Sequence, residues 1–285
     1  YHALEPYLAR LVKKGHKIAI VEQLEDPKLA KGLVKRGLVR IVTPGTIFES
    51  SMLNEKENNY LMALTARGEE FALALCDVST GEFSTLVAES LNQLHNIIIR
   101  FNPSECLIPE SLKVNQELME RLKHYDCLIN FLGDYFFSAE KSRELLQKHF
   151  NLLTLDAFGI EDQPLNVAVS GALLRYLLDT QKNTLAHLKK ISLINLQQKM
   201  LLDSSTLRNL ELTQNIRDGT TRGTLLSVLD KTVTSLGARL LRKWLKEPLL
   251  NPEAINKRLD AVEEFNRRVI QREEIISLLE SVYDL

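Results

Sequence analysis

The sequence predicts an α/β module followed by an all-helical one, and three observations predict it. Residues 59–150 open with three apolar runs separated by short turn-forming stretches, then continue with helical and apolar runs in alternation. From about Leu165 onward, every apolar pattern has the three- and four-residue spacing of a helix. Residues 1–46 hold one helical and two strand-like stretches, too little material for a core of their own. The expected organisation is a partial mixed α/β segment over 1–46, an α/β domain over 47–160 and an incomplete helical domain over 161–285. At 285 residues, 45% hydrophobic and 26% charged, the composition is that of an ordinary globular chain.

In LEPYLARLVKKG, Leu4, Leu8 and Leu11 mark a helical stripe, and Gly15 suits the left-handed position after a helix. KIAIVEQL puts Ile18 and Ile20 on one face of a strand. LVRIVTPGT reads as a second strand, through Val39 and Ile41, stopped by Pro44–Gly45. Residues 60–66, 71–78 and 82–88 are the next strand candidates, with Arg67–Glu70 and Ser79–Gly81 as their turns. A helix over 91–100, an apolar run at 105–108, a helix over 111–124, the DCLINF run and a helix over 139–150 follow. That order resembles the ribonuclease-H-like fold. Residues 151–165, with Gly159, Asp162 and Pro164, read as the linker.

Beyond it, GALLRYLLDTQ begins a helical series that continues through 206–215, 225–250 and 252–282. Pro248 ends one helix, and Asn251–Pro252 starts the next with proline at its first position. In TLRNLELTQN, Leu207, Leu210 and Leu212 are expected to bury, and Arg208 and Glu211 to face out. No signal closes the last helix before Leu285, and both ends of the sequence are expected to be cut points in a longer chain.

Several function classes lack support. No apolar run reaches the ~18 residues of a membrane helix. The sequence has no GxxxxGK[ST], HExxH, GxSxG or GxGxxG pattern. Cys76, Cys106 and Cys127 have no zinc spacing and sit in or beside apolar runs, which predicts buried thiols in a reducing compartment. The six histidines have no metal-ligand spacing. Neither a catalytic nor a metal-binding residue is therefore expected. Asp77 ends a strand where a ribonuclease-H-like nuclease carries a metal-binding carboxylate, but its companions would be Glu82 and Asp126, at turn-flanking and strand-start positions. Two-metal hydrolysis needs several carboxylates converging on ions ~3.5–4 Å apart. An Asp77 that anchors the STGE turn is the favoured reading.

The net charge of −1 hides two basic regions. Residues 1–46 carry nine Lys/Arg against four Asp/Glu, and residues 208–246 carry eight against three. Lys35, Arg36 and Arg40 cluster by a strand. Arg239, Arg242, Lys243 and Lys246 recur at three- and four-residue spacing, hence on one helix face. Such faces either track a nucleic-acid backbone or are solvated or snorkelling surfaces. Spacing leaves both readings open.

Several stretches, in order, resemble the MutS family of DNA mismatch-recognition proteins. YHALEPYLARLV, IAIVEQLEDP and VRIVTPGT are similar to the second half of its mismatch-binding domain, and LCDVSTGEF to its connector domain. LLRYLLDTQKNTLAHL, LDSSTLRNLELTQNIRDG and TLLSVLDKTVTSLGARLLRKWLKEPL are similar to its core, or lever, domain. The stretch from Ile216 to Phe265 carries the resemblance best.

The resemblance implies a protein that binds mispaired or looped double-stranded DNA, is a homodimer at full length, recruits MutL and uses ATP and Mg²⁺ in an ATPase region. This chain carries no Walker motif and no GxFYE-like mismatch wedge. It is thus expected to be no enzyme, to need no cofactor itself, to be monomeric, and to belong to a cytoplasmic, DNA-associated protein. By the resemblance, Arg40 matches a basic position close to the DNA backbone, with Lys35 and Arg36 as weaker candidates. The connector helix bearing Glu140, Arg143, Glu144 and Gln147 becomes the candidate partner-docking surface, against the alternative of an amphipathic cover on the sheet. A ribonuclease-H-like nuclease and a pure protein-interaction scaffold are the competing functions.

Overall fold

The computed structural model describes residues 4–25, 33–48, 52–182, 185–196, 199–200 and 202–282. The chain forms two compact units. One holds Tyr1–Leu53 and Asn59–Ile194, the other Asn54–Asn58 and Asn195–Leu285.

The first unit starts with α1 (Leu4–Lys13), which lies on a hairpin of β1 (Ile18–Gln23) and β2 (Arg36–Val42). Leu8 and Val12 bury against Ile20 and Val42 in a small core. Leu4 and Leu11, expected in the stripe, are 37% and 42% exposed, because the hairpin covers only the Leu8–Val12 side of the helix. A 3-10 turn at Pro44–Thr46 stops β2 at the predicted place.

The larger sheet runs β7-β6-β3-β4-β5-β8. Its strands are β3 (Tyr60–Arg67), β4 (Glu70–Asp77), β5 (Glu82–Ala88), β6 (Glu105–Pro109), β7 (Leu128–Leu132) and the two-residue β8 (Ser192–Leu193). β3, β4 and β5 form an antiparallel meander, and β6, β7 and β8 add in parallel. Helix α2 (Leu91–Phe101) covers one face, with Phe101 edge-on to Tyr60 at 5.4 Å. Helix α3 (Gln116–Leu122) lies beside it, its Arg121 donating to Asn92 at 2.9 Å. The expected helix over 111–124 is in fact a 3-10 turn and this shorter helix, because the Asn115 side chain caps a fresh start by accepting from the Leu118 N–H at 3.0 Å.

The other face carries α5 (Pro164–Gln181), under α4 (Ala139–Phe150). Alanines 63, 72 and 74 make that face of the sheet shallow, so α5 sits close and thirteen of its residues are buried. A helix buried on nearly every side reads as a continuous apolar run rather than a stripe. At the α4–α5 crossing a Cβ on Gly171 would lie 2.1 Å from Ser142 Cβ, so only glycine fits there. Residues 151–165 do not behave as a linker: Leu155 and Ile160 are fully buried in the same core as α5, and the compact unit that holds the sheet runs on to Ile194. Tertiary packing of an apolar helix on an apolar sheet decides this, and local composition does not carry it.

The second unit is helical among the described residues. It contains α6 (Ser204–Asn209), α7 (Leu225–Leu229), α8 (Ser235–Lys246), α9 (Pro252–Arg267) and α10 (Val269–Leu279). Thr234 and Asn251 cap α8 and α9, with Pro252 at the first position as predicted. Leu210, expected to bury, is 57% exposed: α6 stops at Asn209, and Glu211 takes a left-handed turn (φ 45°) that turns the chain away. No described helix of the chain is long and apolar enough to cross a membrane.

Candidate nucleic-acid interface

The hairpin of the first unit carries the cations singled out from sequence. Its register slips between Ile20 and Val21: Ile20 pairs with Arg40, and Val21 with Leu38. Val39 is therefore an extra residue, a β-bulge that re-aims the strand. Directly opposed residues share a face, so Arg40 shares the side of Ile20, and Arg36 the side of Val21 and Leu38. The sequence-level cluster is thus split. Arg40 is half-buried, its guanidinium 4.6 Å from the centre of the Phe48 ring, whereas Lys35 and Arg36 are exposed.

The strand that carries Arg40 is pinned by a buried carboxylate that no sequence motif flagged. Glu105 of β6 is fully buried. Its Oε2 accepts from the Thr43 hydroxyl and from the Gly45 N–H at 2.9 Å. Its Oε1 accepts from the Asn130 amide and from the Tyr176 hydroxyl at 2.5 Å. Burial, then the neighbouring Glu105 charge, pushes the Tyr176 phenol well up, so it remains a donor. Thr43 and Thr46 close the Pro44–Gly45 turn on themselves, their hydroxyls 2.9 Å apart. A Cβ on Gly45 would come within 2.9 Å of Glu105 Cβ and 3.0 Å of Leu61 Cβ, which explains the glycine. The signal available in the sequence was a lone carboxylate in the apolar run ECLIP.

The α8 cations do not form a solvent-facing stripe. Arg239 is 8% exposed and donates to the Glu55 carbonyl at 2.8 Å. Arg242 pairs with Glu57 at 2.7 Å. Lys243 is half-buried. Burial lowers the pKa of Lys246, Arg242 lowers it further, and Glu57 and Glu247 oppose both. Through Arg239 and Arg242, the helix face singled out from spacing meets the 54–58 segment of its own unit. Spacing put the cations on one face but said nothing of what that face meets.

On α4, Arg143 pairs with the Glu161 carboxylate and donates to its carbonyl at 2.6 Å, while Gln147 donates to the Leu153 carbonyl at 2.6 Å. Two of the four docking candidates are therefore committed to the 153–161 segment, and Ser142 and Leu146 bury against α5. Glu140 and Glu144 face solvent.

Asp77 behaves as a turn anchor. Its Oδ1 accepts from the Ser79 N–H and hydroxyl at 3.0 and 2.6 Å, and its Oδ2 from the Asn59 N–H at 3.2 Å. Glu82 accepts from the Tyr60 hydroxyl at 2.9 Å. Asp126 precedes β7, three strand spacings from β4, roughly 14 Å away at ~4.8 Å per spacing. Among the described residues no three acidic, histidine or cysteine side chains gather as a metal site. All three cysteines are free thiols: Cys76 and Cys106 are buried, and burial pushes Cys127 up to about 12.

Three family models match the chain in order: MutS domain I over residues 1–51, MutS domain II over 59–189 and MutS domain III over 205–285. The chain belongs to the MutS family. The DNA mismatch repair proteins MutS of Methanococcoides burtonii and Acetivibrio thermocellus are each 43% identical to it along its whole length, and that of Lachnoclostridium phytofermentans 41%. The chain covers 32%, 33% and 31% of those proteins, so it spans about a third of the length of the MutS relatives it matches. In family terms the Arg40 hairpin belongs to MutS domain I, Glu105, α4 and strands β3 to β7 to domain II, and α8 to domain III. The matched models are those of domains I to III, and no ATPase domain is among them.

Proposed function

We propose that this chain acts as part of a MutS protein that binds duplex DNA with mismatches or small loops and starts mismatch repair. It contributes DNA-backbone contacts, a docking surface and a mechanical link. The observation that carries the reading is the run of three MutS domains in family order along one chain. The exposed Lys35 and Arg36 and the half-buried Arg40 support phosphate contact, which positions a protein on DNA without reading its sequence. ATP and Mg²⁺ would act in an ATPase region of the longer protein, and homodimerisation would belong to that longer protein also. This chain is expected to be a monomer in light scattering, in a cytoplasmic, DNA-associated parent.

The strand order β7-β6-β3-β4-β5, an antiparallel meander extended in parallel on the β3 side, supports a ribonuclease-H-like reading of domain II. The nuclease alternative is disfavoured, since Asp77 is committed to its turn and Asp126 is remote. For MutL docking, Glu140 and Glu144 on α4 are the exposed candidates, with Arg143 and Gln147 shaping the segment beneath them.

The test is fluorescence anisotropy of this chain with matched and mismatched duplexes across a salt series. Weak binding that falls with salt and is indifferent to the mismatch is expected. A clear preference for mismatched DNA, or salt-independent binding, would overturn the backbone-contact reading. The absence of any binding at low salt would refute DNA contact and leave the scaffold.

A further inference from the structure

The segment Asn54–Asn58, sequence NEKEN, lies in the helical unit, although Leu53 before it and Asn59 after it belong to the α/β unit. Lys56 and Glu57 find oppositely charged partners there. The Glu55 carbonyl accepts from Arg239 at 2.8 Å, and its carboxylate from the Ser235 hydroxyl at 3.2 Å. Ser235 opens α8, and a helix N-terminus favours a carboxylate. Glu57 pairs with Arg242 at 2.7 Å, and Lys56 with Asp230 at 3.5 Å. The segment is also turned on itself: the Lys56 N–H donates to the Asn54 side chain at 3.2 Å, and the Glu57 N–H to the Asn54 carbonyl at 2.9 Å. Arg239 and Arg242 are largely withdrawn from water, and an arginine so placed is costly without a partner. The ion pair of Arg242 and the backbone contact of Arg239 both fall on this one five-residue stretch.

We propose that Asn54–Asn58 is an electrostatic latch: the basic face of α8 is the docking site for this chain's own acidic strap, and releasing the strap frees the connection between the Pro44–Thr46 turn and β3. The strap makes the chain cross between its units at 53/54 and 58/59 as well as at 194/195. Two of the four cations that spacing suggested for DNA, Arg239 and Arg242, serve the strap, and a polyanion reaches these two only by displacing it. The latch does not depend on the DNA-binding reading, and its test uses no DNA.

The test is hydrogen exchange of the strap amides in the 285-residue chain, comparing wild type with Glu57→Gln, Glu57→Arg, Arg242→Glu and the Glu57→Arg/Arg242→Glu swap. Fluorescence of Trp244, on α8, reports whether the helical unit stays folded. Each reversal is expected to speed exchange of the Lys56 and Glu57 amides about tenfold, a size typical of coupled contacting pairs, and the swap to recover most of the loss. Strap exchange unchanged in Arg242→Glu, or a swap as fast as the single reversals, would overturn the proposal. Should a reversal unfold the unit, Glu57→Gln decides: roughly threefold faster exchange with unchanged Trp244 emission supports the latch, and unchanged exchange overturns it.

Discussion

Replacing Glu105 with alanine removes the acceptor that four buried donors share. Thr43 keeps a second partner in Thr46 at 2.9 Å. The Gly45 N–H, the Asn130 amide and the Tyr176 hydroxyl lose their acceptor in a site where Glu105 itself is 0% exposed. Each orphaned buried group costs ~1–3 kcal/mol, and water entering the vacated space holds the total near the lower end, about 3–5 kcal/mol. A loss of that size is a large part of the ~5–15 kcal/mol that keeps a typical domain folded. Glu105→Gln is the contrast. Its amide oxygen still meets Gly45, Asn130 turns its amide over, Tyr176 rotates to accept, and a buried charge is relieved, for a loss of at most about 2 kcal/mol. Urea unfolding separates the units, because the single tryptophan, Trp244, lies in the helical one. Backbone circular dichroism of Glu105→Ala should show the α/β transition lowered by about 1.5–2.5 M at a slope of ~2 kcal/mol per M, with the Trp244 transition unmoved. A loss under about 1 kcal/mol, or an equal loss in both variants, would refute the reasoning.

Gly171→Ala drives a Cβ to 2.1 Å from Ser142 Cβ and should cost at least about 2–3 kcal/mol in the same unfolding assay, since backbone lies behind the contact. Burial holds the His149 pKa below 6.5 in the folded chain, so on acidification the unfolded state takes the proton first. Stability of the α/β unit should therefore fall as pH drops from 6.5 toward the lowered folded value, and His149→Gln should flatten that part of a urea-midpoint profile. Arg36→Ala should weaken binding to matched and mismatched duplex alike and reduce the salt slope by about 1, read by anisotropy. Native thiols should react with a disulfide reagent far more slowly than unfolded ones, because burial pushes Cys76 and Cys106 well up and Cys127 up to about 12.

Local pattern was enough for most of the elements. The meander from Tyr60 to Ala88 follows its turns at Gly68 and Gly81, both in the left-handed region, and α9 begins at the Asn251–Pro252 cap. Partnerships were another matter. Spacing on α8 placed Arg239, Arg242, Lys243 and Lys246 together, but the partner strap lies some 180 residues earlier, beyond the reach of any periodicity. The same limit hid Glu105, whose four donors come from positions 43, 45, 130 and 176. The bulge at Val39 depends on pairing with β1, so the separation of Arg36 from Arg40 was not visible in β2 alone. Helix α5 was recognised as a helix, yet its allegiance to the sheet rests on Ala63, Ala72 and Ala74, whose smallness matters only once the strands are side by side.

The separation between strap and helix also sets a schedule. On a ribosome making ~5–20 residues per second, α8 appears roughly 10–35 s after Glu55. By then the sheet, α4 and α5 have all been synthesised, and the domain they form can fold around a loop whose Glu57 carboxylate still lacks its arginine. During that interval Glu55 and Glu57 keep a short stretch of nascent chain hydrated and charged, a poor template for mispairing. The helical unit then closes on a segment made some 180 residues earlier.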